Sequence, residues 1–560
     1  MTARIGGGRI SFDGFAVTAA VVVAVALAPI VALAVIALGG DAGAWRHLFA
    51  VVVPRATLET ALLVTGVTAF TVMVGAGSAW LVTAYDFPGR RVLEVALLLP
   101  LAFPVYVLAY AWLDLLHPIG PVQSALRGML GYARPADFRL PDLRSLPGAV
   151  LIFGLALYPY VHVAARAVFL AQVTTLAEAA RMLGLGSAGV FFRVALPLAR
   201  PAIAAGAALA VMETLNDVGA AEFLSINTLT AAVWATWVNR SDLPGAAQIA
   251  LAMLGFVLAL VVVERLARGH RSYAVIGRNM RRPTPRRVGG LAGLGLLALG
   301  ATPALLGFAL PAGHLVMRAS QRLGFSGVPT DILVEIGNTL TVATLATVTA
   351  LVAGLAVAGG RRLHPGSRPH AAAARVATIG YAVPGTVLAI GLLAVFGALD
   401  GAVRWVVTAL GGKPTGLIVS ASLAALVTAL AIRFLRLSVS KIETGLERLS
   451  PSLDQSARTL GRTPFGVLRE IHLPLIGPAL AGAALLLFVD CMKELPATLL
   501  LRPINFETLA THLYGEAARG TYENGALAAC LIVAFGLLPV AFLTRVGRSR
   551  PTPLDTEDLP

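Results

Sequence analysis

A helix that crosses a hydrocarbon core of about 30 Å needs about 20 mainly apolar residues. Twelve stretches of the chain satisfy that pattern: 16–38, 57–83, 92–116, 147–170, 201–224, 244–266, 289–310, 337–359, 375–399, 416–437, 477–500 and 524–544. Each predicts a membrane-spanning helix. Arg4 and Arg9 precede the first stretch, as they would in a secretory signal. Its apolar run exceeds the roughly 7–15 residues of a signal core, so a retained first helix is expected.

Composition agrees with this pattern. Hydrophobic residues make up 57% of the chain and charged residues 13%, with a mean hydropathy of +0.80. Soluble domains average about 45–50% apolar and about 25% charged residues. The 57 Gly and 33 Pro lie within Ala/Val/Leu runs, which excludes a disordered polar chain. The fold class expected is an all-α polytopic membrane protein.

The formal net charge of +15 would suggest a nucleic-acid partner in a soluble protein. Here the basic residues sit between apolar stretches. With the N-terminus inside, alternating segments place 30 Lys and Arg inside and 13 outside, with Lys493 in a span. The positive-inside rule then puts both termini in the cytoplasm and removes the need for nucleic acid. Cys491 and Cys530 stand alone in apolar surroundings, so neither a disulfide framework nor a metal site is assigned.

The chain repeats itself. Glu178-Ala179-Ala180-Arg181-Met182-Leu183-Gly184 followed by Val194-Ala195-Leu196-Pro197 matches Gln455-Ser456-Ala457-Arg458-Thr459-Leu460-Gly461 followed by Ile471-His472-Leu473-Pro474, at a constant offset of 277. The stretch Leu101–Ala109 matches Tyr381–Ala389, and Ile226-Asn227 matches Ile504-Asn505. Two halves of six spans follow, 1–266 and 289–546, joined by a basic linker at 267–288 and closed by a tail at 547–560. An even number of spans per repeat makes the halves parallel. The repeated loops occupy 175–199 and 452–475.

In these loops Leu176, Ala179, Ala180 and Leu183 recur at helical spacing, predicting one apolar stripe. Gly184 suits a left-handed helix terminus, and Pro197 and Pro201 suit the start of the next helix. The loops resemble the EAA signature of bacterial ABC importer permeases, with Val194 departing from it in the first copy and Gln455 and Ser456 in the second. That resemblance implies a short helix docked against an ATP-binding subunit. Its residues here are Glu178, Ala179, Ala180, Leu183, Gly184, Gln455, Ser456, Ala457, Leu460 and Gly461. An interfacial helix without a partner is the alternative.

A phosphate-binding loop requires GxxxxGK[ST]. The nearest stretch, Gly411-Gly412-Lys413-Pro414, has Val407 for the first Gly and Pro for the hydroxyl. ATP and magnesium are therefore expected on two copies of a separate subunit, with no cofactor bound by this chain.

Charged residues enter the fifth and eleventh stretches. Glu213 and Asp217 are matched at offset 277 by Asp490 and Glu494, and Lys493 lies beside the second pair. The i, i+4 spacing predicts each pair on one helix face. A structural or gating network, a cation-attracting translocation path and an exposed helix end are the three readings of these residues. The runs Met492–Pro503, Asn505–Thr511, Met212–Leu215 with Asp217, and Tyr158–Val161 resemble fused ferric-iron permeases. This resemblance implies import of ferric iron delivered by a periplasmic binding protein, through the bacterial inner membrane. Related fused permeases carry thiamine, phosphonates or other small solutes, and an ion-coupled secondary transporter is a further rival. Loop 117–146 is a candidate contact for the binding protein. Tyr106 and Tyr110, one turn apart, raise a ferric-ligand reading that competes with ordinary packing. His162 and His512 have no clustered partners in the sequence.

Overall fold

The computed structural model describes residues 14–40, 42–171, 173–268, 285–379, 383–413 and 416–548. Tyr381 and most of the linker and tail lie outside them. Among the described residues, eleven helices are long and apolar enough to cross a membrane, and two helices bent by 97° can make a twelfth crossing. The chain is thus an all-α polytopic membrane protein. A helix meets its backbone hydrogen-bonding needs internally, so long Ala/Val/Leu runs can persist through lipid.

The first half contains α1 (Gly14–Leu38), α2 (Val53–Ala84), α3 (Arg90–Ala96), α4 (Val105–Leu115), α5 (Pro121–Leu130), α6 (Leu146–Ala171), α7 (Val173–Met182), α8 (Leu196–Asn216), α9 (Val218–Phe223), α10 (Leu229–Trp234) and α11 (Leu243–Arg268). The second contains α12 (Gly290–Ala304), α13 (Leu310–Ser326), α14 (Ile332–Leu363), α15 (Arg368–Ile379), α16 (Gly385–Ala409), α17 (Leu423–Glu447), α18 (Pro451–Thr459), α19 (Leu473–Met492), α20 (Pro496–Leu501), α21 (Leu509–Arg519) and α22 (Tyr522–Arg548).

Several spans differ from the sequence-based expectation. The stretch read as one span at 92–116 bends at Phe103-Pro104, where Pro104 caps α4 with φ −58° and ψ 145°. Pro384 caps α16 in the same conformation, with φ −58° and ψ 146°. Proline is restricted to this φ and disfavours helix in the residue before it, which explains the break before α4 and suits Pro384 to open α16.

The spans expected at 201–224 and 477–500 begin earlier, as continuous helical runs Ser187–Asn216 and Pro464–Met492. Pro197 stands at the start of α8, as expected, within a helical run that continues across it, whereas Pro201 lies inside α8. A widened π turn precedes the critical proline in each case, Phe191–Ala195 before Pro197 and Leu468–His472 before Pro474. Leu48–Val52 before Pro54 and Leu305–Ala309 before Pro311 repeat the device. A proline donates no N–H and its ring clashes with the carbonyl four residues back. The wider turn lets the helix continue through it.

The described residues form two compact units. One comprises those within Met1–Leu38, Leu340–Met492 and Leu500–Asn505; the other comprises those within Gly39–Thr339, Lys493–Leu499 and Phe506–Pro560. In the first unit α1 lies against α15 and α16, so close that a Cβ on Gly391 would collide with the Pro29 carbonyl oxygen. In the second, α13 packs on α4 and α22. The first helix of each sequence half is thus seated in the unit built mainly from the other half.

Helices in lipid associate through close contact of small residues, since lipid is as apolar as their side chains. α2, α6 and α8 illustrate this. A Cβ on Gly75 would stand 2.7 Å from the Tyr158 carbonyl oxygen, and one on Gly206 would stand 2.7 Å from that of Tyr160. Gly206→Val is expected to cost about 1–3 kcal/mol through overpacking. Thermal unfolding in detergent checks this; a melting temperature unchanged from wild type would contradict the packing described.

Candidate functional site

Both repeated loops end their first helix in the same way. The Leu185 N–H donates to the Ala180 carbonyl and the Gly184 N–H to that of Arg181, at 3.1 and 3.0 Å. In the second loop Arg462 donates to Ala457 and Gly461 to Arg458, both at 3.0 Å. Gly184 has φ +85° and Gly461 φ +76°. These paired bonds form the Schellman terminus that a left-handed glycine allows. The expectation for Gly184 is met, and Gly461 repeats it.

The expected apolar stripe divides between two faces. Ala180 and its counterpart Ala457 turn inward, 7% and 4% exposed. Leu183 and Leu460 turn outward, 85% and 81% exposed. Leu176, Ala179, Gln455 and Ser456 are also exposed, while the side chain of Glu178 lies outside the description. Each loop therefore presents an uncovered leucine at the same register. Inward of it, Ala180 joins Val190, Ala195, Trp80 and Phe169 in an apolar cluster. Ala457 packs with Leu363, Val467 and Leu468.

The acidic pairs do not share one helix face. α8 stops at Asn216, Asp217 is extended (φ −87°, ψ 95°) and α9 begins at Val218. One Asp217 oxygen accepts from Ala220 N–H at 2.8 Å, and the other from Tyr106 N–H at 3.2 Å. A single carboxylate thus serves the starts of both α4 and α9, where backbone N–H groups lack partners within their own helix.

Glu494, 277 residues later, caps the segment that follows its own break. α19 ends at Met492, and the Glu494 carboxylate accepts from Ala497 N–H, Thr498 N–H and the Thr498 hydroxyl at 2.9, 3.0 and 2.7 Å. Pro496 opens α20, a position where its missing N–H leaves no bond unmade. Glu213 and Asp490 remain on the preceding helices, half-buried, and half-buried Lys493 follows the second break.

The break segments meet. A Cβ on Gly219 would approach Leu495 Cδ2 to 2.6 Å and Tyr106 Cβ to 3.0 Å. The Tyr106 hydroxyl faces the Lys493 carbonyl at 3.4 Å. Tyr514, on α21, hydrogen-bonds the Glu222 carboxylate of α9, stacks on Phe223 with centroids 5.6 Å apart, and meets Trp234 edge-on.

The segments after the breaks are held by the two long helices α2 and α14. Thr60 on α2 accepts from Leu229 N–H at 2.9 Å, and Glu59 accepts from Asn227 N–H at 2.7 Å. Thr339 on α14 accepts from Leu509 N–H at 3.0 Å, while Asn338 donates to the Glu507 carbonyl at 2.9 Å.

Sequence reasoning missed a buried ion cluster. The Arg318 guanidinium donates twice to the Asp114 carboxylate, at 2.7 and 2.8 Å, and His314 Nε2 lies 2.7 Å from it. His314 and Arg318 fell beyond the expected end of their span, whereas α13 continues to Ser326. Their i, i+4 spacing was the available signal. His512 pairs with Glu335 at 2.8 Å, and His162 with Ser78 at 2.8 Å. Tyr106 and Tyr110 are buried, and the Tyr110 hydroxyl bonds the Tyr522 carbonyl. Among the described residues no group of three His, Cys, Asp or Glu side chains is arranged to hold a metal.

This architecture, two register-matched loops and two capped helix breaks in a polytopic chain, is that of a transport permease. The chain belongs to the family of binding-protein-dependent transport system inner membrane components, whose profile matches twice, over residues 71–272 and 350–550. It is a multi-pass membrane transport subunit. Permeases of this family work with ATP-binding subunits and periplasmic binding proteins.

Among its relatives is the Fe(3+)-transport system permease protein FbpB 2 of Haemophilus influenzae, 23% identical over 499 residues, covering 87% of this chain and 89% of that one. The molybdenum transport system permease protein ModB of Escherichia coli strain K12 is 31% identical over 212 residues, 37% of this chain and 89% of the relative. The putative 2-aminoethylphosphonate permease PhnV of Salmonella typhimurium is 33% identical over 109 residues, 20% of this chain and 41% of the relative. The double match and the length shared with the first relative bear out the fused two-half resemblance.

Two predictions follow from the geometry. Gly219→Val is expected to cost about 1–3 kcal/mol by wedging α9 from Leu495 and Tyr106, read as a lower melting temperature and slower uptake. The second concerns pH. Hydrogen bonding to Glu335 raises the His512 pKa above the ordinary value, against an opposing effect of burial. A raised histidine contributes stability that is complete below about pH 6.5 and declines as pH rises through the folded value. Melting temperature measured across that window should fall in wild type and lose this component in His512→Gln.

Proposed function

We propose that this chain is the fused membrane subunit of an ATP-driven importer for ferric iron. The observation that carries the reading is the pair of loop helices, 277 residues apart, each closed by a left-handed glycine and each presenting an outward leucine. Two such surfaces suit two copies of an ATP-binding subunit. Glu178, Ala179, Ala180, Leu183 and Gly184, with Gln455, Ser456, Ala457, Leu460 and Gly461, form the docking segments. ATP and magnesium reside on the partners, and this chain contributes no ATPase site. The basic excess in alternate loops supports cytoplasmic termini and loops on the cytoplasmic face of the inner membrane.

In this reading ATP draws the partner subunits together, and the docking helices carry that movement to α8 and α19 and so to the breaks at Asp217 and Glu494. Glu213, Asp217, Asp490, Lys493 and Glu494 then form the gate or the lining of the path. The capping bonds of Asp217 and Glu494 support the gating role for these two. A periplasmic binding protein delivers the cargo, and loop 117–146 is a candidate contact for it.

Ferric iron is favoured by similarity over most of the chain to an Fe(3+) permease. An oxyanion is the second reading, supported by shorter matches of higher identity to molybdenum and 2-aminoethylphosphonate permeases.

The test uses proteoliposomes holding the full assembly. ATP-dependent uptake of radiolabelled ferric iron, insensitive to molybdate and 2-aminoethylphosphonate, is the expected result. Uptake of labelled molybdate with none of iron would overturn the cargo. Leu183→Asp/Leu460→Asp should abolish copurification of the ATP-binding subunit; undiminished copurification would remove the docking assignment.

A further inference from the structure

The second docking helix is fastened to the membrane helices by side chains that the first half lacks at the equivalent positions. In the second half, Asp454 of α18 is 8% exposed. Its carboxylate accepts from Arg362 Nε at 2.8 Å and lies 2.7 Å from His472 Nε2. His472 is fully buried in the π turn that leads into α19. Arg362, near the end of α14, also donates to the Leu449 carbonyl at 3.0 Å, and Arg458 of α18 donates back to the Leu363 carbonyl. The docking helix is thereby tied at once to α14 and to the base of α19.

The first half has none of these three side chains. At the same offset of 277, Asp454 corresponds to Ala177, His472 to Ala195 and Arg362 to Tyr85. The register at Tyr85 is set by Pro88-Gly89 against Pro365-Gly366, whose glycines are both left-handed, φ +81° and +90°. Ala180 seats α7 in an apolar cluster, and the nearby ion pair, Arg166 with Glu94, joins α6 to α3.

The far ends of the two long helices, by contrast, match. α2 and α14 each have 32 residues, about 48 Å of helix. Thr60 and Thr339 make the same bond to the backbone after each helix break, at 2.9 and 3.0 Å. Both rods therefore grip the break segments alike, and α14 also grips its docking helix through buried charges. Buried pairs of this kind are costly to break, since removal of one partner leaves the other desolvated and uncompensated.

We propose that Arg362, Asp454 and His472 make α18, α14 and the base of α19 one stiff lever, so that the second docking site transmits most of the movement that ATP drives. The apolar seat of α7 lets the first site yield. This rests on the docking reading above, and Asp454, Arg362 and His472 act as positioning residues.

The test compares wild type with Asp454→Ala/His472→Ala, which installs the residues found at the equivalent positions of the first half, and with Arg362→Gln and Arg362→Lys. Spin labels on Leu460→Cys/Val352→Cys and on Leu183→Cys/Met73→Cys, in a Cys491→Ala/Cys530→Ala background, report each docking helix against its long helix in the assembled complex. The 460–352 distance should be narrowly distributed with and without ATP and vanadate, and the 183–73 distance broader. The double variant and Arg362→Gln should broaden 460–352 and raise ATP hydrolysed per solute imported about tenfold, within the usual range of coupling between sites. Ferric iron, or molybdate if that is the cargo, serves as the solute. Arg362→Lys should recover part of the coupling, and copurification of the ATP-binding subunit should stay at the wild-type level. A double variant with unchanged 460–352 distances and unchanged ATP cost would overturn the lever. Failure of the docking reading shows separately, as retained copurification in Leu183→Asp/Leu460→Asp.

Discussion

Breaking a helix inside a membrane exposes backbone N–H groups where no water can satisfy them, and the structure depends on how that demand is met. Asp217 and Glu494 meet it. A carboxylate is a suitable acceptor because the first turn of a helix carries partial positive charge. The usual expense of an ion at membrane depth is offset by several charge-assisted bonds to that turn. The acids therefore make the breaks possible, and the breaks allow α9 and the 493–499 segment to come within contact distance at Gly219 and Leu495.

That arrangement changes how the intramembrane charges are to be understood. Four carboxylates and one lysine suggest an anionic lining when read along the chain. Two of those carboxylates are occupied by backbone donors, so the charge left uncompensated is less than a residue count implies.

The fold was largely legible because its signals are local or repeated. Apolar run length revealed the spans, and the offset of 277 revealed the halves. Gly184 announced a helix terminus because only a residue without Cβ takes that conformation without strain. The breaks at Asp217 and Glu494 were hidden, since neither is a proline or glycine and the apolar runs continue past both. Asp217 caps two helices only because Tyr106, 111 residues earlier in sequence, is brought beside it. The Asp114–His314–Arg318 cluster was hidden for a related reason: the apolar window ended before α13 did. Long-range pairing decides these features, and no spacing rule encodes it.

The widened turns before Pro54, Pro197, Pro311 and Pro474 have a geometric consequence. Each inserts one residue into the helical count, and one residue is about 100° of rotation. A helical wheel drawn straight through Pro197 or Pro474 would therefore assign every side chain beyond it to the wrong face. Because both halves carry the insertion at the same register, the two errors are equal, and the correspondence between Glu213 and Asp490 survives. Deleting one residue from a single widened turn would rotate the helix beyond it about its own axis and leave composition, length and hydropathy almost untouched.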